Sequence, residues 1–157
     1  MSDMWIERVS LPALLRHARG AYGRAMRAAL EAEGYDDVPR NGLYVIGGLA
    51  IDAEVPLAHL IADLGLSKQA AGQLVDTLVT RGYLDRRVDP QDRRRLVVTL
   101  AERGRAAAVA QHAARDRIDA LLRDRVGENG VTALRRMLAA IIAVGREDAE
   151  SAEPAPA

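Results

Sequence analysis

Two short apolar segments, separated by only a few residues, constrain the fold of this chain more than any other feature. The first follows Pro56 with residues at helical spacing: Leu57, Leu60, Ile61 and Leu64. This pattern stops at Gly65, and Ser67 then offers a side chain that commonly caps a helix N-terminus. The second predicted helix covers residues 68–81 and is ended by Gly82. Two helices joined by so short a glycine-containing turn predict a helix-turn-helix.

A β-hairpin with a cationic tip is predicted immediately after this motif. Residues 83–88 and 96–100 are short runs rich in β-branched and apolar side chains, which favour strands. The connection between them contains Pro90 between aspartates, a composition that favours a turn. It ends in three consecutive arginines: Arg93, Arg94 and Arg95. Adjacent exposed cations repel one another, so the tip suggests an anionic partner, although Asp89 and Asp92 could also screen the charges.

Helical patterns flank the helix-turn-helix on both sides. Ser10 can cap an amphipathic helix that ends near Gly34. An apolar segment covers 42–51, where the pair Gly47–Gly48 argues against one uninterrupted helix. After the hairpin, a long Ala-rich helix is predicted from Glu102.

The C-terminal part is predicted to contain a helix break and a disordered tail. The long helix is expected to break over 127–130, and a last helix follows to about Arg146. Residues 148–157 are acidic and rich in Ala and Pro, which predicts disorder. We therefore expect a single domain of 157 residues, mainly α with a small β-hairpin wing.

Composition excludes several classes of function. The chain has no Cys, so it cannot form disulfides, thiolate metal sites or cysteine nucleophiles, and it has no Phe, so its core must be aliphatic. We find no His, Asp and Glu grouping at metal-ligand spacing, no phosphate loop and no nucleophile elbow, which predicts a protein that is not an enzyme and has no cofactor. No apolar run is long enough for a membrane helix, so we expect a cytoplasmic protein.

Charge is balanced overall but unevenly distributed. The chain has 22 basic and 22 acidic residues, yet residues 81–105 contain eight Arg against four acids. A neutral total can therefore hide a cationic face.

The phase of the 68–81 helix predicts which side chains are available to a partner. One side carries apolar residues that would face the core: Ala71, Leu74, Val75 and Leu78. Gln69, Gly72 and Gln73 face the other way, with Lys68 and Thr77 on the flanks. Glutamine amides can bind base edges in the DNA major groove, where every base pair has a distinct pattern of donors and acceptors. An ordinary solvated helix face would carry similar residues.

The stretch from Leu64-Gly-Leu-Ser to Asp92-Arg93-Arg94 resembles the winged helix-turn-helix of the MarR family of bacterial transcriptional regulators. The resemblance implies a homodimer, with 10–34 and 102–146 as a helical dimerisation region and 42–100 as the winged helix-turn-helix. It implies that 67–80, including Ser67, enters the major groove. Arg94 is implied to lie at the minor groove, with Asp92 holding the wing.

Two positions depart from the family pattern. The second wing strand ends in Leu100-Ala101 where the family usually has Leu-Thr, which leaves the start of the long helix open between residues 99 and 102. Gln73 occupies a position where the family often has Arg, so the base preference cannot be transferred.

The resemblance also implies a small aromatic effector, as many family members bind one near the dimerisation helices. Candidate contacts are His17, Tyr22 and Tyr44, each of which could equally serve packing. The sequence therefore predicts a ligand-responsive repressor that binds a pseudo-palindromic double-stranded operator. The alternatives are a winged-helix module that binds protein instead of specific DNA and, least favoured, a small helical enzyme.

Overall fold

The computed structural model describes residues 3–52, 54–63 and 66–152, which form a mainly helical fold with a small antiparallel sheet. A short 3₁₀ helix covers Asp3–Arg8. The α-helices are α1 (Leu11–Ala32), α2 (Gly42–Asp52), α3 (Leu57–Asp63), α4 (Lys68–Thr80) and α5 (Glu102–Ala152). The strands are β1 (Glu54–Pro56), β2 (Leu84–Val88) and β3 (Leu96–Leu100). The predicted fold class is confirmed.

The sheet contains one strand more than the predicted hairpin. Its order is β1-β3-β2, and β2 and β3 pair antiparallel with Leu84 opposite Leu100. The additional strand β1 pairs with β3 through Val55 opposite Val98. The sequence analysis missed β1 because three residues are too few to show an alternating pattern. Pro56 is tolerated in this strand because β1 lies at the edge of the sheet.

The helix boundaries resolve two open points of the sequence analysis. The expected interruption at Gly47–Gly48 is wrong, because α2 is continuous from Gly42 to Asp52. Each glycine costs a helix only about 1 kcal/mol, and the burial of Val45, Ile46 and Leu49 outweighs that cost. Strand β3 runs to Leu100 and α5 begins at Glu102, so the departure at Ala101 shortens neither element.

The break in the last helix is narrower than predicted, and the helix extends further. Only Gly127 leaves helical geometry, with φ 72° and ψ 169°, a left-handed φ that glycine adopts without strain. Beyond it α5 continues to Ala152, so the first part of the segment 148–157 is helical where we predicted disorder. Three of the five residues from 148 to 152 are Ala or Glu, which are strong helix formers. Residues 153–157 lie outside the described residues.

The chain divides into two compact units, Met1–Asp116 and Arg117–Ala157, where the sequence suggested one domain. The core of the first unit is aliphatic apart from Tyr83, and it includes Leu30 of α1 and Ala107 of α5. Both ends of the predicted dimerisation region thus contribute to the same core as the winged helix-turn-helix. In the second unit Val131 is buried, whereas many other apolar side chains are exposed.

Candidate nucleic-acid interface

Helix α4 presents a polar face because its apolar positions are fixed in the core. The Ser67 hydroxyl caps the helix by accepting a hydrogen bond from the Ala70 N–H at 3.2 Å. Ala71, Val75 and Leu78 are fully buried. The predicted reading residues are placed on the opposite side, where Ser67, Lys68, Gln69 and Gln73 are all exposed. The helical phase inferred from the sequence is therefore the phase in the structure.

Gly72 and Thr77 border this face. A Cβ atom at Gly72 would meet no heavy atom within 4 Å, so packing within the chain does not require glycine at this position. The missing side chain leaves the backbone of α4 accessible there. The Thr77 hydroxyl donates to the Gln73 carbonyl at 2.8 Å, which leaves its oxygen lone pairs as acceptors. Both residues are half-buried.

The tip of the hairpin is held by backbone hydrogen bonds and by two aspartate side chains. The Asp89 N–H donates to the Arg95 carbonyl at 2.9 Å, and the Arg95 N–H donates to the Asp92 carbonyl at 2.9 Å. The Asp92 carboxylate accepts from the Arg94 N–H at 3.0 Å, and the Asp89 carboxylate accepts from the Gln91 N–H at 2.8 Å. Such side-chain-to-backbone bonds stabilise turns. The tip is thus a defined structure.

The three arginines at the tip point their charge outward. Arg93, Arg94 and Arg95 are exposed. Among the residues that the structure describes, their side chains form no ion pair with Asp89 or Asp92, whose carboxylates are bound to backbone N–H groups instead. The structure therefore favours an external partner over self-screening as the reason for the cluster.

An ion pair that the sequence analysis missed joins helix α4 to the sheet. The Arg86 guanidinium on β2 binds the Asp76 carboxylate on α4. Asp76 lies on the same exposed side as Gln73, and the bound cation offsets its negative charge there. The available signal was a single acid on a face whose other residues are uncharged, apart from Lys68.

A second cluster around Asp37 fixes the base of the winged helix. The Asp37 carboxylate binds Arg103 of α5 with oxygen–nitrogen distances of 2.9 and 3.1 Å and accepts a hydrogen bond from the Tyr83 hydroxyl. Arg103 also lies over the Tyr83 ring, 4.3 Å from its centroid, and donates to the Arg81 carbonyl at 2.7 Å. The end of α4, the connector before α2 and the start of α5 meet at this point.

The electrostatics of this cluster follow from these contacts. The Tyr83 hydrogen bond lowers the pKa of the Asp37 carboxyl below its ordinary value of 3.8, and Arg103 lowers it further against the opposing effect of burial. Burial raises the pKa of the Tyr83 hydroxyl, and the neighbouring carboxylate adds to that rise. Asp37 is therefore charged and Tyr83 neutral at physiological pH.

The three predicted effector contacts do not form one site. Tyr44 lines a cleft between α1 and α2 that we call the arginine cleft, after its five basic side chains: Arg16, Arg19, Arg24, Arg27 and Arg40. The Arg19 guanidinium lies 4.1 Å from the centroid of the Tyr44 ring. Neither His17, which is exposed, nor Tyr22, which is half-buried, is among the described residues that line it.

A second cleft lies between α2 and α5. The α2–α5 cleft has a volume of about 590 Å³ and is lined by residues that include Leu49, Thr99 and His112. Gln111 of α5 is not among the residues that line this cleft. It is only 2% exposed, and neither of its amide atoms has a hydrogen-bond partner within the described structure. Its Oε1 lies 3.3 Å from the position of a Cβ at Gly47. Sequence reasoning missed Gln111 because a lone glutamine in a helix carries no signal.

The described part of the chain offers neither a metal site nor a membrane span. Among those residues, no group of three or more His, Asp or Glu side chains could hold a metal ion. No helix in that part of the chain is long and apolar enough to cross a membrane.

Comparison with known proteins supports the assignment of the fold. A model of the MarR family matches residues 36–95, which cover the connector before α2, the helix-turn-helix and most of the wing. A comparison with curated proteins finds no match.

Solved structures extend the similarity to most of the chain. A mutant MarR from Escherichia coli complexed with operator DNA is 21% identical with a TM-score of 0.67, over 89% of this chain and 99% of that one. A probable transcriptional regulator from Pseudomonas aeruginosa is 24% identical with a TM-score of 0.64, over 84% and 96%. NadR in complex with 4-hydroxyphenylacetate is 18% identical with a TM-score of 0.71, over 85% and 92%. The resemblance found in the sequence, to winged-helix regulators of the MarR family, is thus confirmed.

Proposed function

We propose that this chain, a winged helix-turn-helix protein of the MarR type, is a regulator that binds double-stranded DNA in a sequence-specific manner. The observation that carries the proposal is the hairpin tip: three exposed arginines on a turn whose backbone is fixed by Asp89 and Asp92. A fixed row of guanidinium groups beside an exposed polar helix matches the anionic grooves of DNA.

Helix α4 supplies the reading of bases in this proposal. Gln69 and Gln73 project from its N-terminal half, and their amides can bind adenine edges in a bidentate manner. Ser67 and Lys68 at the helix start are suited to phosphate contact, while Gly72 allows close approach of the backbone. Thr77 contributes an acceptor oxygen at the border of the face.

The wing supplies contacts that depend on groove width. An arginine inserted into a narrow minor groove responds to its enhanced negative potential and not to base identity. We assign this role to Arg94, whose backbone is bound by Asp92, and we assign phosphate contacts to Arg93 and Arg95. The structural similarity to a MarR protein complexed with operator DNA supports this arrangement.

In this proposal the protein acts as a homodimeric repressor in the cytoplasm and responds to a small aromatic effector. Two copies related by a two-fold axis would read a pseudo-palindrome with half-sites about 10 bp apart. The similarity to NadR, whose structure contains 4-hydroxyphenylacetate, supports an effector, and the α2–α5 cleft offers about 590 Å³ for one.

Selection of bound sequences from random duplex DNA, using the purified protein, tests the proposal. We expect one pseudo-palindromic sequence to be enriched, and its binding constant to fall steeply with salt because phosphate contacts release counterions. Gln69→Ala and Gln73→Ala should relax preference at particular base pairs, by about 1–3 kcal/mol each. A winged-helix module that binds protein would instead give no enriched sequence.

A further inference from the structure

We propose that the arginine cleft is a binding site for a small anion that carries several phosphate groups. The cleft has a volume of about 630 Å³ and lies between α1 and the start of α2. Its lining includes five arginines and, among the residues that the structure describes, no carboxylate. The lining contains no residue of α4 or of the wing, so this site is separate from the DNA-binding surface proposed above.

The sequence of α1 concentrates positive charge on the wall of the cleft. Helix α1 contains four arginines and a single acid, Glu31, which lies in its last turn. The arginines are spaced so that Arg16, Arg24 and Arg27 share one face with Gly20 and Gly23. Arg24 and Arg27 are three residues apart, as are Arg16 and Arg19, and like charges at this spacing destabilise a helix. An anion bound between these side chains would remove the repulsion.

Two of the five guanidinium groups are held in place by the protein. Arg27 donates to the carbonyls of Val38 at 3.1 Å and Arg40 at 3.2 Å, which fixes the connector that enters α2. Arg19 lies over the Tyr44 ring. Both contacts hold positive charge at the cleft without neutralising it.

The other three arginines offer unused donors. Arg16, Arg24 and Arg40 are exposed, and within the described residues their side chains have no hydrogen bond or ion pair. Each guanidinium carries donors in a planar fork that matches the oxygens of phosphate. A single carboxylate would leave most of these donors unused, whereas linked phosphate groups could engage several at once.

Two glycines shape the cleft. A Cβ at Gly23 would lie 2.9 Å from the Tyr44 hydroxyl oxygen, and a Cβ at Gly20 would lie 3.3 Å from Nη1 of Arg24. Because Gly23 has no side chain, the Tyr44 hydroxyl can lie close to the backbone of α1. Because Gly20 has none, the Arg24 guanidinium can fold back along α1, and the cleft stays open between them. The resulting volume falls in the range of small-molecule sites, about 300–1,000 Å³. A concave site of this size suits a small ligand better than the convex backbone of a DNA duplex.

Calorimetric titration of the full chain with inorganic tripolyphosphate tests the proposal. We expect saturable binding with one ion per chain, weakened at least about tenfold in the variant Arg16→Gln/Arg24→Gln. Arg40→Gln alone should weaken it in the same direction, which guards against a folding defect in the double variant. The matched control, Arg93→Gln/Arg94→Gln, removes the same charge from the wing and should change the affinity less than about twofold.

Four outcomes would overturn the proposal. Binding that is not saturable, or that falls equally in the cleft and wing variants, would indicate non-specific attraction. Citrate that binds more tightly than tripolyphosphate would indicate a carboxylate ligand. Displacement of tripolyphosphate by operator DNA, together with weaker DNA binding in Arg16→Gln/Arg24→Gln, would make the cleft a contact for the DNA backbone.

Discussion

At the scale of single residues, Arg94 is the exposed side chain whose removal should damage DNA binding most. Its N–H is bound to the Asp92 carboxylate at 3.0 Å, which directs the turn, while its side chain is exposed. Arg94→Ala should weaken binding to all good operators and reduce the salt slope by about one unit for each phosphate group that the arginine neutralises. Fluorescence anisotropy with labelled operator at several salt concentrations measures both effects.

Folding should be unaffected by this change, because an exposed turn residue contributes little to the core. Arg146→Ala, which removes an exposed arginine of the second unit, is the matched control and should bind as the parent does. Asp92→Ala should weaken binding by a smaller amount because it frees the turn. Unchanged binding by Arg94→Ala, or weaker binding that tracks a lower melting temperature, would contradict the assignment.

Asp37 is the residue for which we predict a pH-dependent contribution to stability. Its lowered pKa means that the charged form is stabilised by the fold, so its contribution is present above about pH 3.8 and is lost as the pH falls through the lowered value. Asp37→Asn should therefore reduce the free energy of unfolding at pH 7. The half-exposed position limits the effect to about 1–2 kcal/mol.

Urea unfolding at pH 7 and pH 3 checks this expectation. The difference between parent and Asp37→Asn should shrink at pH 3, because this pH lies below the ordinary pKa of 3.8 and the unfolded chain then binds a proton that the folded carboxylate resists. Asp36→Asn removes a neighbouring exposed charge and serves as the control. An equal effect of the two substitutions at pH 7 would show that Asp37 acts only through net charge.

Residue-level prediction from the sequence succeeded where the contacts are local. The Ser67 cap joins residues three positions apart, so composition and spacing reveal it. The role of Asp92 in holding the wing was implied by the family resemblance, and its bond to the Arg94 N–H is equally local. The Asp37 carboxylate instead binds Tyr83 and Arg103, which are 46 and 66 residues away. No periodicity or motif connects such positions, and only the packing of the connector against α5 brings them together.

At the scale of elements, the sequence predicted those with a long periodic pattern and missed those defined by pairing. Helices α1 and α4 and strand β3 lie where expected because their apolar residues repeat. Strand β1 exists only because β3 offers it a partner. Helix α2 is continuous because the burial of its apolar side chains outweighs the low helix propensity of Gly47 and Gly48. A local sequence pattern does not show how deeply those side chains are buried.

Gly104 lies directly against the Tyr83 backbone, and its substitution should destabilise the fold. A Cβ at this position would lie 2.0 Å from the Tyr83 carbonyl oxygen, which also accepts a hydrogen bond from the Ala101 N–H at 3.0 Å. Because a backbone atom cannot move aside cheaply, Gly104→Ala should lower the free energy of unfolding by at least about 1–3 kcal/mol. Chemical denaturation followed by circular dichroism measures it.

Gly48→Ala provides the matched control for this substitution. It introduces the same methyl group into a helix, at a position where a Cβ would meet nothing within 4 Å. We expect it to stabilise the protein by about 0.5–1 kcal/mol, the usual gain for alanine over glycine in a helix. If Gly104→Ala stabilised the protein as Gly48→Ala does, the close contact between the start of α5 and the Tyr83 backbone would not be required for stability.

At the scale of the whole molecule, the sequence predicted where amphipathic helices lie but not how the chain divides. The dimerisation region inferred from the family resemblance treats 102–146 as one block. In the structure, the division between the compact units falls within α5, after Asp116. Ala107 and Ala108 join the core of the first unit, and their small side chains gave no sign of it in an Ala-rich helix.

The exposed apolar residues of the second unit lead us to predict that the chain forms a homodimer. Several of its large apolar side chains are exposed: Leu121, Val126, Leu134, Met137, Ile141, Ile142 and Val144. Such a density of exposed apolar residues is typical of an interface and not of a monomer surface. We expect a homodimer by sedimentation at micromolar concentration. Ile142→Glu should shift it towards monomer, because burying an unpaired carboxylate between two copies is costly.

Ile51→Glu is the matched control for the dimer, since it places the same charge at an exposed isoleucine of the first unit. It should sediment as the parent does. The prediction of a two-fold symmetric DNA-binding dimer would be contradicted if the parent sedimented as a monomer. It would also be contradicted if the two substitutions changed the sedimentation equally. If Ile142→Glu is monomeric and its first unit remains folded, its affinity for the full pseudo-palindrome should fall towards that for a single half-site. Only two linked reading heads gain the high effective concentration that a second half-site provides.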